Sequence, residues 1–215
     1  MATKKSVLIT AGSTWVAIDN VRVISNIASG QTGFVLANEF KKIGAKVTLL
    51  LGPGTFCYPE NTGIKIIPFR YFSELERLLK KELAKRTYAA VIHAAAVADY
   101  QPERIIHRKV SSHLDNWKLK LIPTKKLVGH LKDYTPGLIA VGFKFEPDTE
   151  KNSLIEKGNR LLKQANLDLV VANSNKDKAY QAYILDGRHK YGPFASKLAM
   201  AACLSRIVNN QLKNR

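Results

Sequence analysis

Between Asp19 and Phe34 the chain reads DNVRVISNIASGQTGF, a run of hydroxyls, amides and glycines that leads without a break into helical periodicity. A strand-to-helix junction of this kind suits an anion. The free N–H groups and positive dipole end of a helix favour phosphate or carboxylate, and glycines let the ligand approach the backbone. Ser25, Asn26, Ser29, Gly30, Gln31, Thr32 and Gly33 stand at the junction, with Arg22 nearby. An N-capped helix after a polar loop uses the same residue types, so this stretch alone leaves both readings open.

Further candidates lie far off in the chain. The apolar run at 6–10 stops at Ala11-Gly12-Ser13-Thr14, the pattern of a buried parallel strand feeding a ligand loop. Tyr88 opens the most apolar segment, YAAVIHAAAVADY. Its small residues Ala94, Ala95 and Ala96 would let a flat ligand lie against the backbone before Asp99 offers a carboxylate. Ligands in open α/β sheets bind outside the carboxyl ends of strands, where Gly12 and Asp99 would both fall. Phe143 in VGFKFE ends a later strand on that edge, where a ring could stack on a base or fill the core. His93, inside its strand, reads as a satisfied core histidine.

The elements that must position these residues follow from periodicity. Apolar residues from Phe34 to Ile43 recur at helical spacing before Gly44, and strands are expected at 46–51 and 63–69. Ser73 with Glu76 marks a helix over 73–85. Residues 101–115 are polar and basic and read as a mobile flap, whereas 116–122 alternates Trp117, Leu119 and Leu121 with lysines, the pattern of an antiparallel arm strand. A short helix at 126–132, a strand at 138–143, a helix at 149–165, a strand at 167–172, a hairpin turning at Asp186-Gly187 and a final helix at 196–212 complete the chain. This alternation gives one domain over 1–215: a Rossmann-like, doubly wound, mostly parallel sheet with an antiparallel arm.

With 215 residues, 46% of them hydrophobic, the chain can build one sizeable core. It has no membrane-length apolar run and no cleavable signal pattern, so a soluble, cytoplasmic protein is expected. Cys57 and Cys203 share no ligand spacing with the histidines, so no metal is expected on protein side chains. The net charge of +17 suits polyanionic substrates. Nucleic acid is the less favoured partner, because the basic residues are scattered and no aromatic-basic RNA signature accompanies them. An NAD(P) oxidoreductase is the other alternative. Its G-x-G-x-x-G fingerprint is missing after the first strand, and no Tyr-x-x-x-Lys pair stands on a helix at the expected place.

Taken together, TAGSTWVAID, DNVRVISNIASGQTG, HAAAVADYQP, KVSS, LKLIPT, VGFKFE and LDLVVAN occur in an order and spacing that resembles phosphopantothenate-cysteine ligase of coenzyme A biosynthesis, over nearly the whole chain. The flavin-dependent decarboxylase often fused ahead of it in bacteria is not in the sequence, so the expectation is a stand-alone ligase. The resemblance implies that the carboxylate of 4'-phosphopantothenate attacks the α-phosphate of a nucleoside triphosphate, and that cysteine captures the acyl-nucleotidyl intermediate. Bacterial members mostly use CTP and eukaryotic ones ATP, with CTP the first expectation here. Magnesium would accompany the nucleotide, and the family is a homodimer whose partner arm contributes to the pantothenate site.

By the same resemblance Asn26 is the catalytic asparagine, donating to the acyl carbonyl or its phosphate bridge for about 3 kcal/mol. Lys109 is the flap lysine, and Asp99 orients the nucleotide. Gly12, Ser13, Thr14, Ala95, Ala96, Phe143 and Asn173 join them around the nucleotide, and Arg22, Asn26, Ser29 and Gly30 around phosphopantothenate. The chain departs from the family pattern at Ser13, Val16, Lys125, Lys126 and Ser174. Two expected helix lysines align with Leu161 and Ala165, leaving Lys144, Lys157, Arg160 or Lys163 as replacements.

Overall fold

The computed structural model describes residues 5–59, 62–175 and 179–214. Strands β1 (Ser6–Ala11), β4 (Lys46–Leu51), β5 (Lys65–Pro68), β6 (Tyr88–His93), β9 (Ile139–Phe145) and β10 (Leu169–Ser174) form the parallel part of an eight-stranded sheet. Strands β11 (Gln181–Leu185) and β12 (Lys190–Phe194) extend it in antiparallel fashion, giving the order β12-β11-β10-β9-β6-β1-β4-β5. The parallel strands therefore run outwards in two directions from the β1–β6 pair, which is the Rossmann arrangement with its switch point between those strands. The doubly wound, mostly parallel sheet expected from the strand and helix alternation is thus present.

Alternation along β1 splits the core into two layers. Val7, Ile9 and Ala11 face helices α1 (Gln31–Lys42) and α4 (Lys197–Lys213), whereas Leu8 faces α2 (Phe72–Leu83). Helix α3 (Lys151–Gln164) covers β9 to β11 on the α2 side. In α2 the residues Leu75, Leu79 and Leu83 recur at one-turn spacing and are fully buried, so each withdraws roughly 2 kcal/mol of apolar surface from water. This helix begins at Phe72, earlier than expected from Ser73. The Glu74 carboxylate accepts the Arg70 and Tyr71 backbone N–H groups, so it, and not the Ser73 hydroxyl, satisfies the entry of the helix.

Three shorter elements differ from the expected ones. Trp15–Ala17 (β2) and Val23–Ser25 (β3) pair as a small hairpin inside what read as loop. The expected arm strand over 116–122 is reduced to Leu121–Pro123 (β8), paired with Tyr100–Pro102 (β7). The alternation at 116–120 is real, but the chain supplies backbone partners only as far as Glu103, whose N–H meets the Lys120 carbonyl. The expected helix at 126–132 is a single 3-10 turn, Leu127–His130.

Candidate functional site

A cavity of about 1080 Å³ opens at the carboxyl ends of β1, β6, β9 and β10. Its floor is set by the loop after β1. Gly12 has φ +78, and a Cβ there would run into the Gly52 carbonyl, so glycine is required for the chain to turn at the strand end. Gly30 precedes α1 in the same left-handed region and faces the Tyr58 hydroxyl. Both glycines line the cavity, as does Ser29, whose hydroxyl accepts the Gln31 N–H.

Asn26, Asp99, Phe143 and Asn173, drawn from four distant parts of the sequence, share this space. The Asn26 side-chain nitrogen donates to the Val97 carbonyl at 3.0 Å and to that of Ala96 at 3.3 Å. Its amide donors are therefore spent on the tip of β6, and the oxygen is the end left for a ligand. This differs from the expected donor role. The Asp99 carboxylate pairs with the ammonium of Lys126, one of the departures from the family pattern. Thr124 holds the preceding loop by donating its hydroxyl to the Ala98 carbonyl at 2.6 Å.

The expected site residues do not all reach the cavity. Ser13 and Thr14 are buried beneath it: the Ser13 hydroxyl donates to Pro53 and the Thr14 hydroxyl accepts the Ala98 N–H. Ala95 and Ala96 line the cavity, yet the N–H of the first is held by the Thr10 hydroxyl and that of the second by the Gly12 carbonyl. Their carbonyls are engaged too, that of Ala95 by the Val97 N–H and that of Ala96 by the Thr14 N–H and the Asn26 side chain, so what they offer a ligand is small side chains. Lys109 is exposed and lies outside the lining. Arg22 is also absent from the lining. It pairs with Asp19 at 2.6 Å, donates to the Val110 carbonyl and lies 5.2 Å over the Trp117 ring. Burial would raise the Asp19 carboxyl, but the N–H groups of Val110, Val21 and Arg22 and the Arg22 guanidinium hold it at about 2. That clamp ties the 101–115 flap to the β2–β3 hairpin.

His93 is buried, with Nδ1 3.0 Å from the Thr10 hydroxyl, and burial lowers its pKa to about 4. The core reading is correct, although His93 also counts among the residues lining the cavity.

The electrostatics of the far wall were only partly legible. Glu146 takes Lys144 at 2.8 Å and Lys157 at 2.5 Å, and these two lysines hold its carboxyl below the ordinary glutamate value. Arg160 lies beside them in the lining, whereas Lys163 does not. Lys197 and Tyr180 also line the cavity. Nothing in their local sequence marks them, since their neighbours across the cavity are remote in the chain.

Residues 2–210 match the family model described as DNA/pantothenate metabolism flavoprotein C-terminal domain. Among curated relatives, the coenzyme A biosynthesis bifunctional protein CoaBC of Haemophilus influenzae is 36% identical over 213 residues, covering 93% of this chain and 50% of that protein. The corresponding protein of Borreliella burgdorferi is 34% identical over 187 residues, with 85% and 46% covered. The chain thus spans about half the length of these relatives. The crystal structure of the DNA/pantothenate metabolism flavoprotein from Streptococcus pneumoniae superposes with a TM-score of 0.87 at 22% identity, covering 96% of this chain and 99% of that one. A Cab2 variant in complex with phosphopantothenate-cysteine gives 0.80 at 21% identity, covering 98% and 87%. At these identities the two structures establish the fold.

Proposed function

Because the chain belongs to the family of DNA/pantothenate metabolism flavoprotein C-terminal domains, we propose that it joins 4'-phosphopantothenate to L-cysteine, driven by a nucleoside triphosphate, in coenzyme A biosynthesis. One observation carries this reading. Asn26, Asp99 and Phe143 meet in a single cavity whose walls also present Lys126, Lys144, Lys157 and Arg160. Two mutually repelling anions need such a cation-rich enclosure to reach one another.

The chemistry runs in two steps. A carboxylate oxygen of phosphopantothenate attacks the α-phosphorus, the bond to the bridging β-phosphate oxygen breaks, and pyrophosphate leaves. The cysteine amine then attacks the acyl carbon, the nucleoside monophosphate departs with the electron pair of the C–O bond, and the amine proton passes to solvent. Asn26, fixed through its nitrogen on the loop after β6, orients the amine by accepting one of its hydrogens at the side-chain oxygen. Lys109 is carried by the clamped flap and neutralises phosphate when the flap closes. CTP is the first nucleotide to test and ATP the second.

Magnesium would arrive on the triphosphate and neutralise its charge. Among the described residues no group of three or more His, Cys, Asp or Glu side chains gathers to hold a metal, and the Asp99 and Glu146 carboxylates are each paired with lysine. A second copy is the proposed cover of the arm surface, where Val21, Ile105, Leu114, Trp117 and Leu121 are exposed.

The test is incubation of purified protein with phosphopantothenate, cysteine, magnesium and CTP or ATP, following pyrophosphate and the amide product. Pyrophosphate release that requires phosphopantothenate is expected, and Lys109→Ala should lower amide formation by roughly a hundredfold. No phosphopantothenate-dependent release with either nucleotide would overturn the assignment.

A further inference from the structure

The cations invoked so far border the β6 tip or the α3 side of the sheet. Lys197 stands on the other face, as the first residue of α4. Its ammonium donates to the Gln31 side-chain oxygen at 2.7 Å, and Gln31 is the first residue of α1, so the starts of two packed helices are joined at the cavity wall. The Ser196 hydroxyl accepts the Ala199 N–H and fixes the backbone at that point. Lys197 is half-buried, and burial draws its pKa below the ordinary lysine value. A partly desolvated ammonium facing a neutral amide keeps donors in hand and is stabilised when an anion meets it. Two other lining residues also carry unspent polar atoms: the Tyr180 hydroxyl and the Asn173 side-chain oxygen are buried without a hydrogen-bond partner.

We propose that Lys197, steered by Gln31, binds the β- and γ-phosphoryl groups of the nucleotide, with the Tyr180 hydroxyl as a second donor. The identity of the polyphosphate rests on the ligase reading above. The α-phosphorus must sit where the carboxylate attacks, beside Asn26, and the remaining phosphates extend a short way from it. The loop from Asn26 to Gly30 leads from that point to the α1 start, where Gln31 holds Lys197. The phosphate monoester of phosphopantothenate lies at the far end of a long chain from its carboxylate and would fall elsewhere.

Lys197→Met keeps the apolar stem and removes the charge. Inorganic tripolyphosphate binding, measured by calorimetry, should weaken about tenfold, and the KM for the nucleotide should rise by a similar factor while that for phosphopantothenate stays within about twofold. Gln31→Ala, which frees the lysine without deleting it, should weaken tripolyphosphate about threefold, and Lys197→Arg should restore part of the loss. Lys213→Met, at the other end of α4, should change nothing. Unaltered tripolyphosphate binding in both Lys197→Met and Gln31→Ala, or a rise confined to the phosphopantothenate KM, would overturn the proposal. If the unaltered protein releases no pyrophosphate, the ligase reading falls, while tripolyphosphate binding still decides the role of Lys197.

Discussion

Asn26 shows how one side chain can be fixed by the loop after a distant strand. Its nitrogen donates to two carbonyls at the end of β6. An aspartate there would oppose those carbonyls with like partial charge and swing away. Asn26→Asp should therefore lose amide product by roughly a hundredfold while retaining more of its pyrophosphate release, as a comparison of the two products will show. His93 offers a second test. Its folded pKa of about 4 lies below the ordinary histidine value of 6.5, so its contribution is complete above about pH 6.5 and is lost as pH falls towards 4. The span corresponds to roughly 3 kcal/mol. Denaturant unfolding across that range should show the loss, and His93→Asn should flatten it. Asp99 and Phe143 were legible because each stands at the end of a long apolar run, and Asn26 because hydroxyls, amides and glycines gather before α1. Lys197 was not, because its partner lies 166 residues away and no local pattern encodes that meeting.

Among the elements, the arm strand is the one whose sequence misled most. Alternating side chains specify two faces but say nothing about a hydrogen-bonding neighbour, so the arm pairs over three residues and stops. What holds the flap before it is a carboxylate. Asp19 gathers the N–H groups of Val21 and Arg22 and the Arg22 side chain, then reaches across to the Val110 N–H at 3.1 Å. Neither end of that bridge is visible in a hydrophobicity pattern. Asp19→Asn should loosen the flap, seen as faster amide hydrogen exchange over 105–115 and a loss of turnover exceeding the loss of global stability. Since the Asp19 pKa is held below its ordinary 3.8, the clamp is complete above that pH in the unaltered protein and should open as pH falls through about 2.

At the scale of the molecule, the doubly wound, mostly parallel sheet was the most legible feature. Buried parallel strands alternating with helices leave few topologies, and right-handed crossovers leave fewer. The two-layer core follows from alternation within each strand, whereas the small β2–β3 hairpin, three residues a side, is too short to announce itself. The exposed apolar arm predicts association. Light scattering should report a dimer, and Trp117→Ser combined with Leu121→Ser should shift it towards monomer by about tenfold in dissociation constant. The arrangement of the helices has one more outcome. Helix α4 starts at the cavity and runs 17 residues, so that Asn214 shares a surface pocket with Asp168, just before β10 begins. The Lys5 carbonyl holds the N–H of Lys46 where β1 and β4 begin. Both described ends of the chain thus emerge from the rim opposite the mouth, and a tether to a bead, a chip or a second polypeptide at either end should leave turnover unaltered.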